Sequence, residues 1–290
     1  MQAGVERSWQ SSDGLALFAR DYAGAPGPAR CPVICLHGLT RNSLDFEDFA
    51  PWVAAQGRRV IAMDVRGRGR SARPEDAASY RPAVYAKDVL GFMGALGIAR
   101  AVFVGTSMGG IITMAIAGGR LRAIAAAVLN DVGPKLAMGG LQRIAGYVGK
   151  PIPVTSWEGA AEVVRELNRV AFPDNTAEEW QRWARRAFVI NAEGRFVLNY
   201  DKRIALAFQG KPLKSTSLVA KLLFRRLANN RPTLLIRGAL SDLLGAEEER
   251  YMRAVAPTMQ VAAVPGVGHA PMLMEAEACE AIGRFLQQVP

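Results

Sequence analysis

Short apolar runs, each closed by a small or polar loop, recur along the chain: PVICLHG, RRVIAMDVRG, AVFVGTS, AIAAAVLNDVG, PTLLIRGALSD and QVAAVPGVGH. Their apolarity is near-continuous rather than alternating, which marks strands covered on both faces. Helix-length segments separate the early runs. In RPAVYAKDVLGFMGALGI, for example, Val84, Val89, Met93 and Leu96 recur at near-helical spacing. Strand and helix alternating in this way predict an α/β fold, a mostly parallel central sheet flanked by helices. Ahead of it, ERSWQSS and LALFARDY flank an Asp-Gly pair and read as an antiparallel hairpin.

The rhythm breaks after Gly133. Residues 134–230 are mostly helix-like, including SWEGAAEVVRELNRVAF and TAEEWQRWARRAFVI, and strand rhythm resumes at RPTLLIRG. The economical division is a discontinuous α/β core, residues 1–133 and 231–290, with a helical cap, residues 134–230, inserted at the carboxyl edge of the sheet. Ligands bind in crevices at that edge in open α/β sheets, so the insertion is a candidate lid.

Composition changes this picture little. The chain has 290 residues, half of them apolar and 21% charged, a globular balance. No apolar run reaches the ~20 residues that span a bilayer, and MQAGVERSWQSSDG lacks the basic-then-apolar pattern of an export signal. A cytoplasmic protein with no membrane span is expected. Cys31, Cys35 and Cys279 form no disulfide framework, and beside only two histidines they make a poor metal set. The net charge is +10. Between Pro134 and Arg226 there are 16 lysines and arginines against 8 acidic residues. They lie along helix-like stretches without a recognition-helix pattern, so no nucleic-acid partner is expected. A basic lid would instead draw anionic substrates toward an opening beneath it.

The chemistry is concentrated at Gly105-Thr106-Ser107-Met108-Gly109, which satisfies G-x-S-x-G between a strand and a helix. The turn is tight enough to strain its central residue, so Gly105 and Gly109 must be small. The reward is a hydroxyl raised at the amino end of a helix. A serine needs a general base, and the base needs an orienting acid. His269, in a Gly-rich loop after the last expected strand, is the base candidate. Two acids satisfy the chain order Ser, Asp, His: Asp242, after PTLLIRGALSD and the first choice, and Asp131, after AAAVLN, the alternative. The other histidine, His37, begins a small His37-Gly38 turn that brings a backbone N–H toward the nucleophile. Leu39 N–H and Met108 N–H are the expected oxyanion hole. AMDVRGRGRSARP lacks the Lys-Ser/Thr ending of a P-loop and the dinucleotide fingerprint, and reads as a backbone-shaping loop near the pocket.

Taken in order, His37-Gly38, Asp64-Val65-Arg66-Gly67-Arg68-Gly69-Arg70-Ser71, Gly105 to Gly109, Arg237-Gly238 with Ser241-Asp242, and Gly268-His269 resemble the α/β-hydrolase superfamily over essentially the whole core. The resemblance implies a Ser107–His269–Asp242 triad under a helical cap, and RFVLNYDKRIALAF resembles cap segments of esterase and lactonase-like members. The superfamily's haloalkane dehalogenases and epoxide hydrolases place Asp at the elbow, where this chain has Ser107.

The function expected is hydrolysis of a carboxylic ester, with lactones and thioesters as variants, through an acyl-enzyme and without a cofactor or metal. The partner is a small-molecule ester-type substrate, anionic if the basic lid steers it. Trp157, Trp180 and Trp183 in the cap are candidates to line an apolar acyl pocket, with Phe188 and Phe196 beside them. Four alternatives stay open. Three use the same triad: carbon–carbon bond hydrolysis, cofactor-free lyase or perhydrolase chemistry, and an aminopeptidase gripping its substrate's ammonium with Glu158, Glu162 or Glu193. The fourth is a non-catalytic small-molecule receptor.

Overall fold

In the computed structural model, residues 4–208 and 213–290 are described. Positions 1–3 of the expected core and 209–212 of the expected cap lie outside them. An eight-stranded sheet runs in the order β1-β2-β4-β3-β5-β6-β9-β10. Its first six strands in chain order are β1 (Val5–Gln10), β2 (Ala16–Tyr22), β3 (Val33–Leu36), β4 (Val60–Asp64), β5 (Ala101–Thr106) and β6 (Ile124–Asn130). A separate hairpin, β7 (Phe188–Ile190) and β8 (Phe196–Leu198), follows; β9 (Thr233–Gly238) and β10 (Gln260–Val264) complete the sheet. β1 and β2 are antiparallel, as is β2 against β4, and every other pair in this sheet is parallel.

The apolar runs are continuous because both faces of the sheet are covered. Val33, Cys35, Val102 and Val104 pack with Phe49 and Val53 of α1 (Phe49–Ala55) and with Ile282 and Phe285 of the C-terminal helix, Ala276–Gln288. Ile34, Leu36 and Phe103 pack on the other face with Val89 and Phe92 of α2 (Pro82–Ala95) and Ile112 of α3 (Met108–Arg120). Successive strand residues therefore serve opposite layers. β3 lies between β4 and β5, so the chain order reverses there, and the loops after β3 and β5 flank one crevice.

Between β6 and β9 come α4 (Met138–Tyr147), α5 (Trp157–Asn168), α6 (Ala177–Ala187), the β7–β8 hairpin and α7 (Leu218–Ala228). Helix α6 opens on a reciprocal capping box between Thr176 and Glu179. The helix-like reading of RRAFVI gives way to strand at Phe188. A β-branched and aromatic triplet there meets FVL across a turn whose Gly194 has φ 73°. Helix α7, last in the expected insertion, lies against α3: Arg226 Nε donates to Ala117 O at 2.7 Å. Helix α8 (Ala246–Val255) follows β9, and Ala276–Gln288, hereafter α9, closes the chain.

Candidate active site

Ser107 stands between β5 and α3 at φ 50° and ψ −110°, a conformation that costs an L-residue roughly 1–3 kcal/mol. Its surroundings enforce it. A Cβ on Gly105 would lie 2.5 Å from Gly109 C and Gly110 N, and one on Gly109 would lie 2.0 Å from Leu36 O. Strand and helix thus approach as closely as glycine permits, and the serine is left projecting from the turn.

His269 Nε2 lies 3.0 Å from Ser107 Oγ. On the far side of the ring, Nδ1 lies 2.8 Å from Asp131 Oδ2. The carboxylate meeting the imidazole is therefore Asp131 and not Asp242. Register supplies the reason. Thr106 pairs with Asn130 across β5 and β6, so the residues after each, Ser107 and Asp131, emerge side by side. Asp242 lies four residues past β9, one strand further out, where Arg143 Nε and Nη2 donate to its carboxylate at 2.6 and 2.8 Å. That guanidinium holds the Asp242 carboxyl below the usual carboxylate range.

Asp131 is fully buried and sits at φ 53°. A buried carboxylate needs its lone pairs filled. Gly238 N–H donates to Oδ1 at 2.9 Å, and Ser241 Oγ donates to Oδ2 at 2.5 Å, the same oxygen that faces the imidazole. Ser241 Oγ in turn accepts from Leu243 N–H and Leu244 N–H. Asn130 Nδ2 donates to Pro271 O at 2.8 Å, tying the histidine loop to β6. The roles of Ser241 and Asn130 have no signal in the sequence, because each depends on which loop lies across from it in the folded sheet.

The loop after β3 closes the other side. His37 is buried; Val65 N–H donates to its Nε2 at 3.0 Å, so its Nδ1 carries the proton toward Gly38 O at 2.7 Å. Burial pulls its pKa down to about 4, so the ring is a neutral brace. A Cβ on Gly38 would come within 3.8 Å of Ser107 Cβ, which puts Leu39 next to Ser107. Met108 is the first residue of α3, so its N–H has no partner within the helix. From beneath, the fully buried Arg68 donates through Nε to Leu39 O at 3.0 Å and through Nη1 to Arg66 O and Tyr85 Oη. Its Nη2 lies 3.5 Å from Met108 Sδ. The loop expected only to shape backbone thus sends a cation under both oxyanion-hole candidates.

One cavity joins these groups. Gly38, Leu39, Ser107 and His269 form its floor, and Ile144, Val163, Leu167, Trp183, Phe188 and Leu198 from α4 to β8 form most of its apolar wall. Of the three candidate tryptophans only Trp183 lines it. Trp180 stacks on Trp183 with ring centroids 5.6 Å apart, and Trp157 packs edge-on against Phe196 at 5.0 Å. Those two are packing residues because α5, α6 and the hairpin need an apolar seam of their own.

Residues 33–282 match the alpha/beta hydrolase family, and the chain belongs to it. Two relatives that match over most of the chain are hydrolases, and this protein is a hydrolase. The chain is 33% identical over 270 residues to a 3-hydroxybutyrate-oligomer hydrolase of Cupriavidus necator, covering 91% of each protein. It is 26% identical over 265 residues to an sn-1-specific diacylglycerol lipase of Mus musculus, covering 90% of this chain and 83% of the lipase. The crystal structure of an alpha/beta hydrolase from Novosphingobium aromaticivorans superposes with a TM-score of 0.91 at 42% identity, covering 100% of both chains. No helix among the described residues is long and apolar enough to cross a membrane.

Proposed function

We propose that the protein is a serine esterase acting on oligoesters of short hydroxy acids, with Ser107 as nucleophile, His269 as base and Asp131 as the orienting acid. The observation that carries this reading is the unbroken hydrogen-bonded line Ser107–His269–Asp131, 3.0 and 2.8 Å long, opening into an apolar cavity. Ser107 Oγ attacks the acyl carbon as its proton passes to His269 Nε2. The negative charge that develops on the carbonyl oxygen is received by Leu39 N–H and Met108 N–H, each such donor contributing roughly 3 kcal/mol. The imidazolium then protonates the departing alkoxide, and the alcohol leaves. Water enters, gives its proton to His269 and attacks the acyl-enzyme, and the acid leaves as Ser107 regains its hydrogen.

Similarity to the 3-hydroxybutyrate-oligomer hydrolase over 91% of both proteins supports the substrate class. The lid of this enzyme is α4 through β8, which supply most of the apolar wall; α7, bound to α3, serves the core. A fluorophosphonate probe should label Ser107, mapped by mass spectrometry of the modified peptide, and the purified enzyme should cleave 3-hydroxybutyrate dimer and trimer. Ser107→Ala should abolish both. Undiminished ester cleavage by that variant would refute the assignment.

A further inference from the structure

Resting on the esterase reading, we propose that the Ser107 cavity contains a carboxylate-binding subsite centred on Arg143, with Arg41 as a second cation. The preferred esters are then those bearing a free carboxylate, and an oligoester is held by its acid end.

The charge inventory of the cavity leads there. Apart from His269, the ionisable acids and bases that line it, among the described residues, are Arg41, Arg143, Asp45, Tyr147 and Tyr200. At neutral pH this leaves two cations against one carboxylate. Asp242, the partner of Arg143, is not part of the lining. It takes the guanidinium by the Nε–Nη2 edge, at 2.6 and 2.8 Å. A guanidinium has five N–H donors, and that fork uses two. Both hydrogens of Nη1 and one of Nη2 lie outside that fork; the Tyr147 hydroxyl stands close enough to act on the guanidinium, and the donors it leaves can pair with a second carboxylate. Tyr147, four residues on and therefore on the same face of α4, lines the cavity beside it.

Arg41 is held differently. Its Nε reaches both oxygens of Asp45 at 2.9 and 2.8 Å, and Nη2 lies 3.5 Å from Met272 Sδ. The guanidinium lies 4.0 Å from the centre of the Trp183 ring. Stacking fixes its plane and lowers the entropy lost on pairing. Among the described residues Nη1 has no acceptor. Two cations, each paired from one edge, stand in a wall that is otherwise largely apolar, Arg41 mostly buried and Arg143 half-buried. In such surroundings an ion pair is less screened than in water. A neutral ester offers the remaining donors only a weaker carbonyl acceptor, whereas a carboxylate offers them two charged oxygens. The excess of basic residues between Pro134 and Arg226, 16 against 8, draws anions to the same opening.

The test compares the 3-hydroxybutyrate dimer as free acid with the same dimer as its methyl ester, following cleavage of the internal ester bond by liquid chromatography. Wild-type enzyme should favour the acid in kcat/KM by roughly tenfold to a hundredfold, the range of one charge-assisted hydrogen-bonded contact. Arg143→Gln should bring the ratio toward one, mainly by raising KM for the acid, and Arg143→Lys should restore it only in part. Asp242→Asn, which removes the internal competitor, should hold the ratio at or above the wild-type value. Equal cleavage of both dimers by wild-type enzyme, or an equal loss on both in Arg143→Gln, would overturn the subsite and leave the esterase reading standing. Cleavage of neither dimer, with Ser107 unlabelled by the fluorophosphonate, would overturn the esterase reading itself.

Discussion

Asp131 and Asp242 show how much one residue's position decides. Both carry the same side chain after a strand of the same sheet, yet only Asp131 faces the imidazole, and it is buried with three hydrogen-bond donors around it. Asp131→Asn should lower kcat by a factor on the order of 10⁴, because the amide favours the wrong imidazole tautomer. Asp242→Asn should change it by less than about tenfold in the same assay. Ser241→Ala removes one donor from the acid and should lower kcat roughly tenfold. Its KM should stay near wild type, since the hydroxyl orients the acid and does not face the cavity. A larger rise in KM than fall in kcat would argue against that positioning role. Ser107 and His269 were legible in the sequence because few residues could play their parts: one G-x-S-x-G at a strand-to-helix junction, and one histidine in a late Gly-rich loop. The choice of acid was not legible. It depends on which strands are neighbours, and β6 lies beside β5 while β9 lies one place further on.

At the scale of elements, the turn from β5 into α3 is held by glycines with no room for a side chain. Adding a methyl group at Gly109 would put a carbon 2.0 Å from Leu36 O, an atom of strand backbone that cannot swing aside. Gly109→Ala should therefore destabilise the protein by about 3 kcal/mol, measured as a lowered urea midpoint at constant slope. Strands of the sheet were readable from near-continuous apolar runs because both faces are buried, as the alternation of Val102, Phe103 and Val104 between two cores shows. The β7–β8 hairpin was not readable. Each of its strands has only three residues, and β7 follows directly on α6, a helix of strong amphipathic pattern, so the local period does not change visibly. Tertiary packing decides such short stretches. The same limit applied to the tryptophans. Helical spacing puts Trp180 and Trp183 on one side of α6, but only the arrangement of neighbouring elements determines that Trp183 meets the cavity while Trp180 stacks behind it.

For the whole molecule, acid stability should bear the signature of a histidine outside the catalytic line. His37 is buried and neutral, its pKa drawn by burial from 6.5 to about 4. Between those values the unfolded chain binds a proton that the native chain refuses. Stability therefore falls as pH drops from about 6.5 toward 4, by about 3 kcal/mol at most, and is retained above that window. Urea unfolding at pH 7 and pH 4.5 should show this loss, and His37→Gln should make the decline shallower. A decline of equal steepness in the variant would assign the effect to other groups.

Ser107 and Asp131 flank one β–α–β unit, β5-α3-β6, so two members of the proposed triad are set before the chain enters the segment α4 through β8. Had the acid followed β9, every change of length or shape in the intervening helices would have fallen between nucleophile and acid. With Asp131 as the proposed acid, the segment α4 through β8 is free to vary without moving nucleophile and acid apart. Exchanging it for another of matching end-to-end span should alter which esters are accepted while leaving fluorophosphonate labelling of the serine intact.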